Sequence, residues 1–341
     1  MLQIRIELQG NMRDSILHNT QAIVKNNIEY IFSHCYVSEI DCKKPEITTI
    51  QSGTEAQTFL IKTGKSSFIL KISPLKKLDE IKYENEILKR LNEVSKNFIT
   101  LKSNVFLLGN NVAVLYKYFN GKSLSKQSLT SDKIVQIAQM QAEMHKKLKD
   151  FHPNSKERKR FSIFDLTFIE IFQSDYAEEV KNLILEAENI LREKLLPYNK
   201  HPLPESIIHE DLEMVNILEH KNGKLLFIDF GESHKAQIIS DISTTLKEII
   251  ANPMGLRNEL FNVYLKEYQK NNPILDQTQL DMIPWLVLRR TLFMFTYLLN
   301  KGSKLNSSEN KNYSCNVDIE KKLLENLIQS NNFIFNLKDI S

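Results

Sequence analysis

Residues 207–232 read IIHEDLEMVNILEHKNGKLLFIDFGE, two short apolar runs joined by an Asn-Gly pair and carrying His209, Asp211, Asn216 and Asp229. An Asn-Gly pair between such runs is the strongest short-range signal for a β-hairpin. A two-residue turn at Asn222 and Gly223 predicts that Asn216 faces Asp229 across the base of the hairpin. Two oxygen-bearing side chains then converge. A hard cation such as Mg²⁺ takes one or two protein oxygens and leaves its other positions to water and phosphate, which suits so sparse a ligand set. Asp211 lies five residues before Asn216, in the loop that leads into the hairpin. A carboxylate there can accept the proton of an attacking hydroxyl while a metal neutralises charge on a phosphate. His209, which follows the apolar Ile207 and Ile208, reads as a buried histidine bracing the loop.

The rest of the chain sets the bounds for this site. With 341 residues, 42% apolar and 26% charged, the chain is long enough for about two domains. A net charge of +3 is too small an excess for a dedicated nucleic-acid or membrane-surface binder. Cys35, Cys42 and Cys315 have neither metal-ligand spacing nor an even count, which fits a reducing cytoplasm. No secretion signal or transit peptide is evident at the N-terminus. The most apolar stretch, Trp285 to Leu299, is interrupted by Arg289 and Arg290 and reads as a buried helix too short to span a bilayer. Nothing in the sequence bears on oligomeric state.

Along the chain the character changes from sheet to helix. EITTI, TFLIK and SFILKI alternate as half-buried strands do. Helical periods dominate after residue 130, in 131–148, much of 164–196, 241–251, 257–269 and 277–300, while the polar 304–314 reads as a loop. An α+β architecture follows, with a sheet-bearing part at 1–118, a helical part at 119–341 and a hinge at Phe119-Asn120-Gly121. In KSSFILKIS, Phe68, Leu70 and Ile72 share one face of a strand, and Ile69 and Lys71 share the other. In the next segment Leu78, Ile81, Ile87, Leu88, Leu91 and Val94 form the apolar stripe of a helix, with Glu84 at its centre. An inward-facing carboxylate needs a partner, and Lys71 is the obvious one. Glu80, one turn earlier, is the rival for that pairing, and Glu86 points away.

The ordered combination His209-x-Asp211-x(4)-Asn216, then Ile228-Asp229-Phe230-Gly231, resembles the catalytic and metal loops of the aminoglycoside phosphotransferase and choline kinase superfamily, relatives of the protein kinases. The resemblance runs from about Thr48 to beyond Asp241 and implies a two-lobed kinase-like fold: a nucleotide-binding lobe with an antiparallel sheet, then a mostly helical catalytic and substrate lobe. By that resemblance Lys71 contacts nucleotide phosphates and is positioned by Glu84, and Asp211 is the catalytic base. Asn216 and Asp229 hold Mg²⁺, and Ser52, Gly53 and Thr54 lie in the phosphate-covering loop. Tyr116 and Tyr118 border the base of ATP or GTP, His145 is structural, and Asp241 caps a helix and braces the catalytic loop. Glu210 departs from the pattern, standing where a small residue is more usual.

The activity so implied is transfer of a γ-phosphoryl group to a hydroxyl. Helical patterns resume by Ser240, leaving no peptide-binding activation segment, so a small-molecule acceptor is favoured. Glu210, Asp165 and Glu170 would attract a cationic alcohol, and Trp285, the only tryptophan, could add a cation–π face. An aminoglycoside-like acceptor is expected first. The other readings are a metabolic kinase of choline, ethanolamine, homoserine or a sugar, an atypical protein kinase, and a nucleotide-binding module without catalysis.

Overall fold

The alternation in TFLIK and SFILKI becomes an antiparallel sheet in the computed structural model, which describes residues 22–35, 45–52, 56–64, 66–157, 162–166, 177–251, 258–302 and 310–329. Strands β1 (Glu46–Ser52), β2 (Gln57–Thr63), β3 (Ser66–Pro74), β4 (Phe106–Leu108) and β5 (Asn111–Lys117) lie in the order β1-β2-β3-β5-β4. Phe68, Leu70 and Ile72 join Phe59, Ile61, Phe106 and Leu115 in one core, covered by Ile31 and Phe32 of helix α1 (Ile28–Ser33). Lys71, between them in sequence, necessarily stands on the opposite face. Helix α2 (Leu78–Asn92) buries Ile81, Ile87, Leu88 and Leu91. Val94 lies beyond its end and is exposed, so the expected stripe stops one turn early.

The chain divides into two compact units. The first is Met1–Gly121 with Pro153–Glu157, and the second is Lys122–His152 with Arg158–Ser341. Residues 153–157 join the first unit through its helix α2. Glu86 accepts hydrogen bonds from the Asn154 amide (2.6 Å) and the Ser155 hydroxyl (2.5 Å), and the Tyr83 hydroxyl lies 3.5 Å from Glu157.

In the second unit, α3 (Ser131–Leu148) starts at a Thr130 cap whose hydroxyl accepts from the Lys133 amide. Helices α4 (Glu178–Leu195), α5 (Ile238–Ile250), α6 (Asn258–Asn271), α7 (Gln277–Gly302) and α8 (Asn310–Gln329) follow. Helix α8 begins within the stretch expected to be a loop. Between helices, β6 (Gly121–Ser123), β8 (Ile217–His220) and β9 (Leu225–Phe227) form one small sheet, and β7 (Glu205–Ile208) pairs with β10 (His234–Gln237). Helix α5 is buried almost all round, as the central helix of a bundle must be. Helix α7 packs against α4, α5 and α8. Its segment Gln277–Asn300 is 24 residues long and apolar enough to cross a membrane, which corrects the expectation of a segment too short to span. Leu286, Val287, Leu288, Leu292 and Phe295 are nonetheless buried within this unit, and Pro284 together with two arginines interrupts the run.

Candidate active site

The hairpin forms, but its turn is one residue longer than expected. Ile217 pairs with Phe227, Leu218 with Leu226 and Glu219 with Leu225, and the Ile228 amide donates to the Asn216 carbonyl at 3.0 Å. Asn216 therefore stands opposite Ile228, and Asp229 lies one position further on. The cause is local. A two-residue type I′ turn requires positive φ at both central residues, whereas only Gly223 adopts it here, at 80°. Asn222 instead uses its side chain, accepting from the Lys224 amide at 3.2 Å, as asparagine does in Asx-turns. Asp229 itself is left-handed, at φ 60° and ψ 68°. Its exposed carboxylate is thus aimed by a twist of the chain rather than by strand register.

The loop ahead of the hairpin is held on every side. The Asn216 side-chain amide donates to the Asp211 carbonyl at 2.7 Å and to Asp211 Oδ2 at 3.1 Å. Arg290 Nη2, from α7, reaches Asp211 Oδ1 at 3.3 Å and Glu213 Oε1 at 3.4 Å. With its nitrogen committed to Asp211, the Asn216 amide turns its oxygen away from that residue. One amide oxygen and one carboxylate, from Asn216 and Asp229, are the donor types a hard cation accepts when it keeps water and phosphate ligands. Among the described residues, no group of three or more His, Cys, Asp or Glu side chains could hold a metal ion, so a protein-only cage is not built there.

His209 is fully buried. Its Nδ1 accepts from the Asp211 amide at 3.3 Å, which leaves Nε2 to donate to the Ile228 carbonyl at 3.0 Å. The imidazole thus ties the loop ahead of the hairpin to the strand end that leads into Asp229. Asp241 anchors the same loop from beneath. Helix α5 begins at Ile238 with no side-chain cap, so Asp241 sits inside the first turn and is not the expected N-cap. Its carboxylate accepts from the His209 amide (3.3 Å), the Glu210 amide (2.7 Å), Gln141 (2.9 Å) and His145 Nε2 (2.9 Å). His145 Nδ1 meets the Tyr268 hydroxyl at 2.8 Å, completing a buried chain of partners.

Burial works to raise the Asp241 pKa, but hydrogen bonding and charge from His145, aided by the hydrogen bond from Gln141, outweigh it and hold the group at about 2. A carboxylate whose folded-state pKa is depressed stabilises the fold above its unfolded value near pH 4 and loses that contribution as pH falls toward about 2. The linkage is worth about 2 kcal/mol. Asp241→Asn should therefore destabilise the protein more at pH 7 than at about pH 2.5, as read by urea unfolding at each pH. An equal loss at both values would exclude this assignment.

Glu210 also has positive φ, 65°, a conformation that costs a non-glycine residue roughly 1–2 kcal/mol. This explains why a small residue is more usual at its position. Its carboxylate accepts from Ser240 at 3.4 Å and acts electrostatically on Arg289 and Arg290. Arg289 Nη2 donates to the Ser162 and Asp165 carbonyls at 3.1 and 3.0 Å, and burial draws its pKa down to about 10. Asp165, Glu210 and Asp211 are thereby gathered around one pair of arginines. Trp285 lies one turn before Arg289 on α7, with Lys194 Nζ 5.8 Å from the centre of its ring. The protein's own lysine therefore occupies one face of that indole. Glu170 lies outside the described residues, as do Gly53 and Thr54. Ser52 ends β1, paired with Gln57.

Within the first unit, Lys71 Nζ lies 3.7 Å from Glu84 Oε2. The Tyr116 hydroxyl donates to Glu84 Oε1 at 3.4 Å, so this phenol is buried against the ion pair. Tyr118 is half-buried, and its amide donates to the Ser67 carbonyl at 3.1 Å. Neither the tyrosine on Glu84 nor the arginine on Asp211 was expected. Arg290 could have been found by the reasoning that paired Glu84: a charge in an apolar helix needs a partner.

The fold is shared with several solved kinases. A microcompartment-associated aminopropanol kinase superposes with a TM-score of 0.66 at 18% identity, covering 92% of this chain and 99% of that one. An amicoumacin kinase in complex with AMP-PNP, Ca²⁺ and Ami gives 0.65 at 16% identity, covering 94% and 99%. The choline kinase LicA from Streptococcus pneumoniae gives 0.60 at 17% identity, covering 91% and 99%. No curated protein sequence matches the chain at a significant level. The profile of the APH phosphotransferase enzyme family matches residues 46–277, well over half of the 341, and the chain belongs to that family.

Proposed function

We propose that this phosphotransferase moves the γ-phosphoryl group of ATP or GTP to a hydroxyl of an amine-bearing small molecule. The observation that carries the reading is the state of Asp211: one carboxylate oxygen is held by Arg290 and the other by Asn216. A carboxylate so fixed can orient an acceptor hydroxyl and take its proton. Asn216 and Asp229 would hold Mg²⁺, which when bound neutralises charge on the transferring phosphates. In the first unit Lys71, held by Glu84, is assigned to the nucleotide phosphates. Catalysis is then chiefly positioning and charge stabilisation.

The amine-bearing acceptor is supported by charge. Asp165, Glu210, Asp211 and Glu213 outnumber Arg289 and Arg290, leaving a carboxylate excess where the hydroxyl would be activated. Kinases of aminopropanol and choline share the fold, which supports amino alcohols alongside aminoglycoside-like acceptors. The test is ATP consumption with Mg²⁺ over matched cationic and neutral alcohols: aminoglycosides, choline and ethanolamine against neutral sugars and glycerol. Turnover is expected with the cationic set, reduced by Glu210→Gln and Asp165→Asn. Activity confined to neutral acceptors and indifferent to both substitutions would sink the proposal.

A further inference from the structure

We propose that Arg290 is a positioning residue for phosphoryl transfer, orienting Asp211 before an acceptor arrives. One nitrogen, Nη2, serves both Asp211 Oδ1 at 3.3 Å and Glu213 Oε1 at 3.4 Å, while Asn216 holds Asp211 Oδ2 at 3.1 Å. The carboxylate is therefore gripped at both oxygens, from α7 on one side and from the hairpin on the other.

Arg290 is itself fixed. Its side chain is only 13% exposed, and its guanidinium carbon lies 5.6 Å from the centre of the Phe293 ring, one turn along α7. Burial works against its charge, but the carboxylates of Glu210, Glu213, Asp211 and Glu248 outweigh that effect and raise its pKa. It therefore remains a cation. Its Nε is buried and has no hydrogen-bond partner among the described residues, an unusual cost. A catalytic carboxylate mobile over several rotamers would present its oxygen to the acceptor only part of the time, and misplacement by about 1 Å can cost on the order of 10²-fold in rate.

The inference rests on the assignment of Asp211, and the experiment separates the two. ADP release from Mg²⁺-ATP is followed with an aminoglycoside, choline or ethanolamine, whichever is turned over, and with water as acceptor when none is. Arg290→Lys keeps the buried charge, so folding should survive, as circular dichroism would check. Its ammonium falls one bond short of Asp211 and lacks the planar fork. Arg290→Gln provides a second, neutral variant.

Each is expected to lower kcat about tenfold or more with KM for ATP within about twofold, the signature of an interaction that matters in the transition state. In an Asp211→Asn background the same substitutions should change kcat by less than about twofold, because the carboxylate to be positioned is gone. Wild-type kcat in a folded Arg290→Lys enzyme, or the same fold-loss in both backgrounds, would overturn the proposal. A fully active Asp211→Asn enzyme would instead overturn the assignment of the base.

Discussion

Asp211→Asn is expected to lower phosphoryl transfer by at least about 10²-fold with nucleotide affinity nearly unchanged. Asparagine keeps the size of the side chain and one oxygen for the Asn216 amide, so the loop should hold its shape. What it loses is the negative charge that pairs with Arg290 and the capacity to accept a hydroxyl proton. The Asp211 side chain is 39% exposed, so leaving Arg290 short of one partner should cost only about 1 kcal/mol of stability. Single-turnover kinetics on the folded variant, beside calorimetric titration with nucleotide, decide the matter. Transfer near the wild-type rate would remove Asp211 from the mechanism, and a parallel collapse of ATP binding would make it a structural residue.

The parts of the site that could be read from sequence are those governed by local rules. The face-sharing of Phe68, Leu70 and Ile72 follows from a two-residue period, and it placed Lys71 on the opposite face, where Glu84 meets it. Helix α3 appears over the stretch its period marks, 131–148. The hairpin shows where local rules end. Asn-Gly announces the turn, but whether asparagine adopts positive φ or closes an Asx-turn differs by little energy, and that choice shifts the register by one residue. Asp229 then reaches its place through a left-handed backbone that no pattern of apolar residues encodes. Arg290 is a third kind of case. Its contact with Asp211 spans 79 residues, and only the docking of α7 beside the loop ahead of the hairpin makes them neighbours. The fourfold role of Asp241 is likewise tertiary. One carboxylate gathers two backbone amides, a glutamine and a histidine from separate elements.

Asp229, proposed as a ligand of Mg²⁺, carries a comparably large expected effect. Asp229→Asn should abolish the Mg²⁺ dependence of triphosphate binding, and with it turnover by at least roughly 10²-fold, since metal stabilisation of the transferring phosphate is worth several kcal/mol. Asparagine is the right probe because of the backbone. At φ 60° an alanine would add a conformational penalty of roughly 1–2 kcal/mol, confounding loss of the ligand with strain, whereas asparagine tolerates the left-handed region. Asparagine also keeps an oxygen, so the substitution removes charge and little else. The side chain is exposed, and little loss of fold stability is expected. Nucleotide would be titrated calorimetrically into wild type and variant, with Mg²⁺ and with chelator. Wild type should bind more tightly with the metal, and the variant should bind equally in both. If the variant kept the wild-type difference, the cation would have to be held elsewhere, and Asn216, whose amide nitrogen is already committed to Asp211, could not be its partner in the way proposed.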